Sequence, residues 1–243
     1  MKFGLIGKNI EYSKSKEIFE SQGFEYKVYD VPNIELGLQA AIDDKLDGFN
    51  ITTPFKHDII QYMDCLMPNA EKTQSVNCVK ILNDMFIGEN FDYQAFINSL
   101  THYIDNHDDW EFDFPHNTAI LGNGGVMPSI KSALEDWVKG ATSVHKITVF
   151  ARNPKEGQQS LSDFNAKDFD LIVNTIPFKS GIDINFNCKG KFIYYDLNYA
   201  DDTLIKKAER NNNCSWAIDG FDMLERQADM ALNWWKENFT SET

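Results

Sequence analysis

Short apolar runs alternate with segments whose apolar residues recur every three or four positions, and this alternation extends along the whole chain. Residues 3–7 read as a strand, 15–21 as a helix and 26–29 as a second strand. Asn33 then caps a helix carrying Ile34, Leu38 and Ile42 at helical spacing. Phe49 and Ile51 mark a third strand, and residues 57–67 read as a helix with Ile59, Ile60 and Met63 on one face. Residues 76–82 and 85–87 form a hairpin about Asn83-Asp84, and Asp92 opens a helix through Leu100. From Asp105 to Asn117 the period is lost, which places a domain boundary there. A second series follows, with strands at 118–121, 147–150, 171–174, 192–196 and 214–218, and helices at 129–138, 203–211 and 221–238. The pattern is that of an α/β fold in which a parallel sheet is covered by helices.

The chain has 243 residues, long enough for one large domain or two modest ones, with an ordinary globular composition. Its net charge of -14 argues against nucleic acid or an anionic membrane as the main partner, both of which call for basic patches. The four cysteines, Cys65, Cys78, Cys188 and Cys214, are scattered without a Cys-x-x-Cys pair and read as reduced thiols. The five histidines show no metal-ligand spacing, so no metal is expected. The apolar start, 3–6, is too short for a signal peptide or a membrane span, and a cytoplasmic protein is expected.

Two stretches carry candidate chemistry. The first is Asp47-Gly48-Phe49-Asn50-Ile51-Thr52-Thr53-Pro54-Phe55-Lys56, a buried strand running into a polar turn. It gathers an amide, two hydroxyls and an ammonium at a strand's carboxyl end, where open α/β sheets bind ligands. By itself Lys56 reads better as a solvated loop lysine starting the next helix, and only the residues further along favour a site role. The second is Gly122-Asn123-Gly124-Gly125 between a strand and a helix, the geometry in which backbone N–H groups cradle a pyrophosphate. Met127 occupies the place of the usual third small residue, and a glycine turn that binds nothing is the alternative. The following strand ends in Ala151-Arg152-Asn153-Pro154-Lys155 rather than an acidic residue. Arg152 suits a ribose 2′-phosphate, which favours NADP over NAD.

The order of motifs resembles the shikimate dehydrogenases over nearly the whole chain. Gly4-Leu5-Ile6-Gly7 with Ser13-x-Ser15, the segment Asn50 to Lys56, Ser75-Val76-Asn77 and Gly88-x-Asn90-x-Asp92 appear in the family's order. The glycine turn, Ala151-Arg152, Asn174, Asp196-x-x-Tyr199 and Asp219-Gly220-Phe221-x-Met223-Leu224-x-x-Gln227-Ala228 complete it. Departures are Tyr12 for a histidine, Lys16 for a proline, Phe91 for a threonine, Ala151 for an asparagine and Asp201 for a proline.

The resemblance implies a two-domain α/β protein. Its N-terminal α/β substrate domain would comprise residues 1–104 with 221–243, the C-terminal helix returning to it, and residues 105–220 would form a Rossmann-type nucleotide-binding domain. It implies NADP-dependent reduction of 3-dehydroshikimate to shikimate in aromatic amino-acid biosynthesis, in a cleft between the domains. Lys56 and Asp92 are the implied catalytic pair, with Ser13, Ser15, Thr52, Asn77, Tyr199 and Gln227 on substrate. Gly122, Asn123, Gly124, Gly125, Arg152, Asn153, Leu197 and Gly220 are the implied cofactor contacts. A small hydroxy-acid substrate, neither nucleic acid nor membrane, and a monomer or homodimer are expected. A quinate-type or NAD-using dehydrogenase and a non-catalytic nucleotide-binding regulator are the alternatives. Retention of both Lys56 and Asp92 speaks against the regulator.

Overall fold

The computed structural model describes residues 1–105, 115–140 and 144–237. The chain divides into two units, one of residues Met1–Ala95 with the segment from Leu224 onward, the other of Phe96–Met223.

In the first unit β1 (Lys2–Gly7), α1 (Ser15–Ser21), β2 (Glu25–Asp30), α2 (Ile34–Asp43) and β3 (Gly48–Ile51) follow one another as the periodicity predicts. Asn33 caps α2 through its side-chain oxygen, which accepts from Leu36 N at 3.0 Å. Ile34, Leu38 and Ala41 are buried, whereas Ile42 is 53% exposed. Position 41 lies closer to the helical line through 34 and 38 than position 42 does. The helix expected over 57–67 is replaced by a 3-10 turn at Asp58–Tyr62, the short strand β4 (Cys65–Leu66) and helix α3 (Pro68–Thr73). Ile59 is buried, but Met63 turns extended (φ -85°, ψ 132°) and its backbone leads into a parallel pairing with β6. Pro68 starts α3 from its first turn, where its missing N–H leaves no ladder bond unmade.

Strands β5 (Cys78–Leu82) and β6 (Met85–Glu89) form the expected hairpin, with Asn83 (φ 51°) and Asp84 (φ 63°) both left-handed, as a type I′ turn requires. The sheet order is β2-β1-β3-β5-β6-β4. The hairpin makes it mixed rather than purely parallel, since β5 runs against β3 and β6. One face buries Ile6, Phe49, Ile51 and Val79 under α2 and α3. The other buries Phe3, Leu5, Phe19, Leu232 and Trp235 under α1 and the closing helix. Gly48 lies under Trp235, whose Nε1 would stand 2.5 Å from an added Cβ and instead donates to Val79 O at 2.9 Å.

Helix α4 (Asp92–Asp105) carries the chain into the second unit, which contains β7 (Asn117–Leu121), α5 (Met127–Trp137), β8 (Lys146–Ala151), β9 (Gln159–Ser160), β10 (Leu171–Asn174), β11 (Phe192–Asp196), α6 (Thr203–Glu209) and β12 (Cys214–Ile218). Helix α7 (Phe221–Lys236) carries it back. The segment read as a boundary, 105–117, lies mostly outside the described residues. All pairings in the second sheet are parallel, in the order β12-β11-β10-β7-β8-β9. This is a doubly wound sheet whose order reverses between β7 and β10, the place where such sheets bind ligands. Its central strands β7, β10 and β11 are buried on both faces, which explains their continuous apolar runs.

Candidate active site

Strand register brings the first group of residues together. Asn50 on β3 pairs with Cys78 on β5, and Cys78 pairs with Glu89 on β6. The carboxyl ends of β3 and β6 therefore meet the start of β5, and Lys56, Asn77 and Asp92 emerge side by side. Lys56 Nζ donates to Asp92 Oδ2 at 2.6 Å, and the two side chains are 11% and 4% exposed. Asp92 Oδ1 accepts from Asn77 Nδ2 at 2.9 Å, so each carboxylate oxygen has a side-chain partner. Asn77 Nδ2 also donates to Gln227 Oε1 on α7 at 2.9 Å, and Asn77 Oδ1 accepts from Phe91 N.

The aspartate's backbone is held as firmly. Asn90, fully buried, accepts from Asp92 N at 3.0 Å and donates to Thr73 Oγ1 and Ser75 O. Glu89 Oε1 in turn accepts from Asn90 N at 2.6 Å and Ala70 N at 3.2 Å, and burial pushes its carboxyl above the ordinary carboxylate range. Asn50 donates to Asn77 O and accepts from Tyr26 OH. On the lysine's side, Val76 N donates to Lys56 O at 2.8 Å.

Ser13 and Ser15 follow β1, the parallel neighbour of β3, and Ser13 Oγ donates to Ser15 Oγ at 3.1 Å. Thr52 joins this loop region through its backbone, Thr52 N donating to Ile6 O, while Lys8 N donates to Thr53 O. The serines and Thr52 thus sit at the same end of the sheet as Lys56 but bond one another and the backbone rather than the ion pair. Tyr199 belongs to the second unit, half-buried after β11.

A second group lies at the carboxyl ends of the doubly wound sheet. Gly122 ends β7 with φ +105°, and an added Cβ would stand 2.4 Å from Thr175 Oγ1 on the chain leaving β10. Gly124 faces open space, with nothing within 4 Å of an added Cβ. A turn that needs glycine at position 122, at the switch point of the sheet, fits the pyrophosphate of a dinucleotide. Asn123 Nδ2 donates to Asn153 O and to Gln158 Oε1, each at 3.0 Å. Arg152 is exposed at the end of β8 and donates through Nη2 to Ser180 O at 2.9 Å. Leu197 and Gly220, distant in sequence, meet: an added Cβ on Gly220 would lie 2.2 Å from Leu197 O.

At the end of β11 the buried Asp196 accepts from Tyr194 OH, from Asn174 Nδ2 and from Asn198 N and Nδ2, and burial pushes its carboxyl upward. Asn90, Asn174 and Asp196 stood in motifs read from the sequence without a site role assigned to them. Glu89, Asn198 and Gln158 carried no signal, because each ties a near neighbour to a distant segment: Ala70 for Glu89, Ile176 and Phe178 for Asn198, and Asn123 for Gln158. Among the described residues, no group of His, Cys, Asp and Glu is placed to hold a metal ion. No helix among the described residues is long and apolar enough to cross a membrane.

In sequence and fold the chain is similar to known proteins. A family profile described as the shikimate dehydrogenase substrate binding domain matches residues 5–79. The NADP(+) shikimate dehydrogenase of Clostridium botulinum strain 657 is 31% identical over an alignment of 258 positions, covering 96% of this chain and 95% of that protein. The chain belongs to the shikimate dehydrogenase family. Among solved members of that family, the enzyme from Aquifex aeolicus superposes with a TM-score of 0.79 at 25% identity, covering 97% of this chain and 92% of that one. A shikimate dehydrogenase solved in complex with NADP+ gives a TM-score of 0.74 at 26% identity, covering 96% and 89%. Lys56, Asn77 and the glycine turn thus stand in a fold shared along almost the entire length of these relatives.

Proposed function

We propose that this chain catalyses the NADP-dependent, reversible reduction of 3-dehydroshikimate to shikimate in aromatic amino-acid biosynthesis. The observation that carries the reading is the buried Lys56–Asp92 pair at 2.6 Å, knitted to Asn77 and Gln227. A buried ion pair is a weak device for stability, because desolvation offsets most of its Coulombic gain. A paired ammonium and carboxylate beside amide donors and acceptors is what proton exchange with a polyhydroxylated ring requires. In this reading Lys56 exchanges the proton with the substrate oxygen, and Asp92 orients the lysine and accepts from a ring hydroxyl. Thr52, Asn77, Gln227 and Tyr199 sort the remaining hydroxyls, and Ser13 and Ser15 hold the carboxylate.

NADP, when bound, supplies or accepts the hydride. Gly122, Asn123, Gly124 and Gly125 would hold its pyrophosphate, Arg152 and Asn153 its adenosine end, and Leu197 and Gly220 its nicotinamide end. The substrate is assigned to the unit bearing Lys56 and the cofactor to the unit bearing the glycine turn. The four free thiols suit a reducing cytoplasm, and we assign the protein there as a monomer or homodimer.

Absorbance at 340 nm with shikimate or quinate, each against NAD and NADP, tests the reading. Turnover is expected with shikimate and NADP; faster turnover with quinate and NAD would replace this assignment with the broader dehydrogenase, and none at all with the regulator. The Lys56→Ala variant is expected to bind NADPH as the parent does, with turnover lower by ~10²–10⁴-fold, the range for a positioned acid or base. Parental turnover in that variant would remove Lys56 from the chemistry.

A further inference from the structure

Adjacent parallel strands ordinarily need a crossover of about a dozen residues or more, usually a helix. Here β8 and β9 are joined by residues 152–158 alone and still pair in parallel, Phe150 with Gln159 and Ala151 with Ser160. Residues 152–157 are exposed, so no apolar packing fixes this segment, although it carries Arg152 and Lys155. What fixes it is polar and centred on one half-buried side chain. Gln158 Oε1 accepts from Lys155 N and from Asn123 Nδ2 of the glycine turn, each at 3.0 Å. Gln158 N donates back to Lys155 O at 3.0 Å, and Asn123 Nδ2 donates also to Asn153 O.

We infer that Gln158 is a positioning residue for recognition of the cofactor's 2′-phosphate. Its carboxamide oxygen ties the segment bearing Arg152 and Lys155 to the glycine turn and so sets the preference for a 2′-phosphorylated nucleotide. The inference rests on the cofactor reading given above for Arg152 and the glycine turn. A guanidinium on a mobile backbone must be ordered at each binding event, and prior anchoring removes that cost. The residue type fits the task. Both anchoring bonds use only an acceptor oxygen, and a neutral amide provides it without placing a carboxylate near a phosphate, as glutamate would. Glu156 lies in the same segment, and a loosened segment also frees that carboxylate to approach the phosphate.

The test is calorimetric binding of adenosine 2′,5′-bisphosphate and of ADP to the full chain, comparing the parent with Gln158→Met, which keeps length and removes the acceptor. The variant is expected to lose roughly tenfold in affinity for the bisphosphate, the scale of one or two lost hydrogen bonds. ADP binding and the KM for shikimate should stay within about twofold. In a cycle with Asn123→Ala the two losses should be non-additive, because both changes break the same contact. Bisphosphate binding within about twofold of the parent, or equal losses for both nucleotides, would overturn the role given to Gln158. A parent chain without preference for the bisphosphate over ADP would instead remove the reading of Arg152, and this inference with it.

Discussion

Glu89 shows how much of the site depends on a residue that touches no proposed ligand. Its carboxylate holds Asn90 N and the first turn of α3, and Asn90 holds Asp92 N. Burial raises its pKa above the ordinary 4.5, an effect that its two backbone hydrogen bonds oppose. Between 4.5 and the raised folded value the native state binds more protons at this residue than the unfolded chain does. Stability contributed here therefore falls as pH climbs through that window. Glu89→Gln keeps an acceptor oxygen and removes the titration. Urea unfolding from pH 4 to pH 8 should find the parent most favoured over the variant at the acid end, with the difference declining as pH rises and then levelling off. The same slope in both proteins would mean that another carboxyl carries it. Asp196, also shifted upward by burial, is present in both and cancels in the comparison.

Strand ends place the chemistry, and one glycine shows how tightly they do so. Gly220 follows β12 and passes so close to the chain leaving β11 that a methyl group would meet Leu197 C and O, both backbone atoms, at 2.6 and 2.2 Å. Backbone cannot rotate away as a side-chain tip can, so Gly220→Ala is expected to cost about 1–3 kcal/mol. It should also weaken NADPH binding, read by fluorescence titration, while leaving the Lys56–Asp92 region intact. Unchanged binding would separate this contact from the cofactor.

At the same scale the sequence was legible wherever period and punctuation agreed. Asn33 before Ile34, Asn83-Asp84 between two apolar runs, and Gly122 after Leu121 each announced their element. Residues 57–67 carry helical spacing at Ile59, Ile60 and Met63, yet Met63 turns extended and Cys65–Leu66 pairs with a strand whose partnership no local pattern encodes. The parallel return of β9 after so short a connection had no sequence signature either, and with it the role of Gln158 stayed hidden. The Lys56–Asp92–Asn77 group was readable only as motifs in order; what joins them is the register of β3, β5 and β6.

Each of the two units has its own buried core, built on its own six-stranded sheet. Cysteines sample both: Cys65 and Cys78 in the first, Cys188 and Cys214 in the second. Cys65 is exposed, whereas burial pushes Cys78 well above the ordinary 9.0, Cys188 up to about 11 and Cys214 up to about 12. The reactive species is the thiolate, so at pH 8 Cys78 and Cys188 are disfavoured both by access and by protonation, and the half-buried Cys214 by protonation. Titration of the native chain with an aromatic disulfide reagent should therefore give one rapid equivalent, abolished by Cys65→Ser. The other three should react only as the structure opens, Cys78 reporting the first unit and Cys188 with Cys214 the second. Mild denaturant separates the possibilities: three slow thiols appearing together would mean one cooperative transition, whereas Cys78 appearing apart from the other two would mean that the units open independently. A second rapid equivalent in native buffer that survives Cys214→Ser would contradict the burial of these cores.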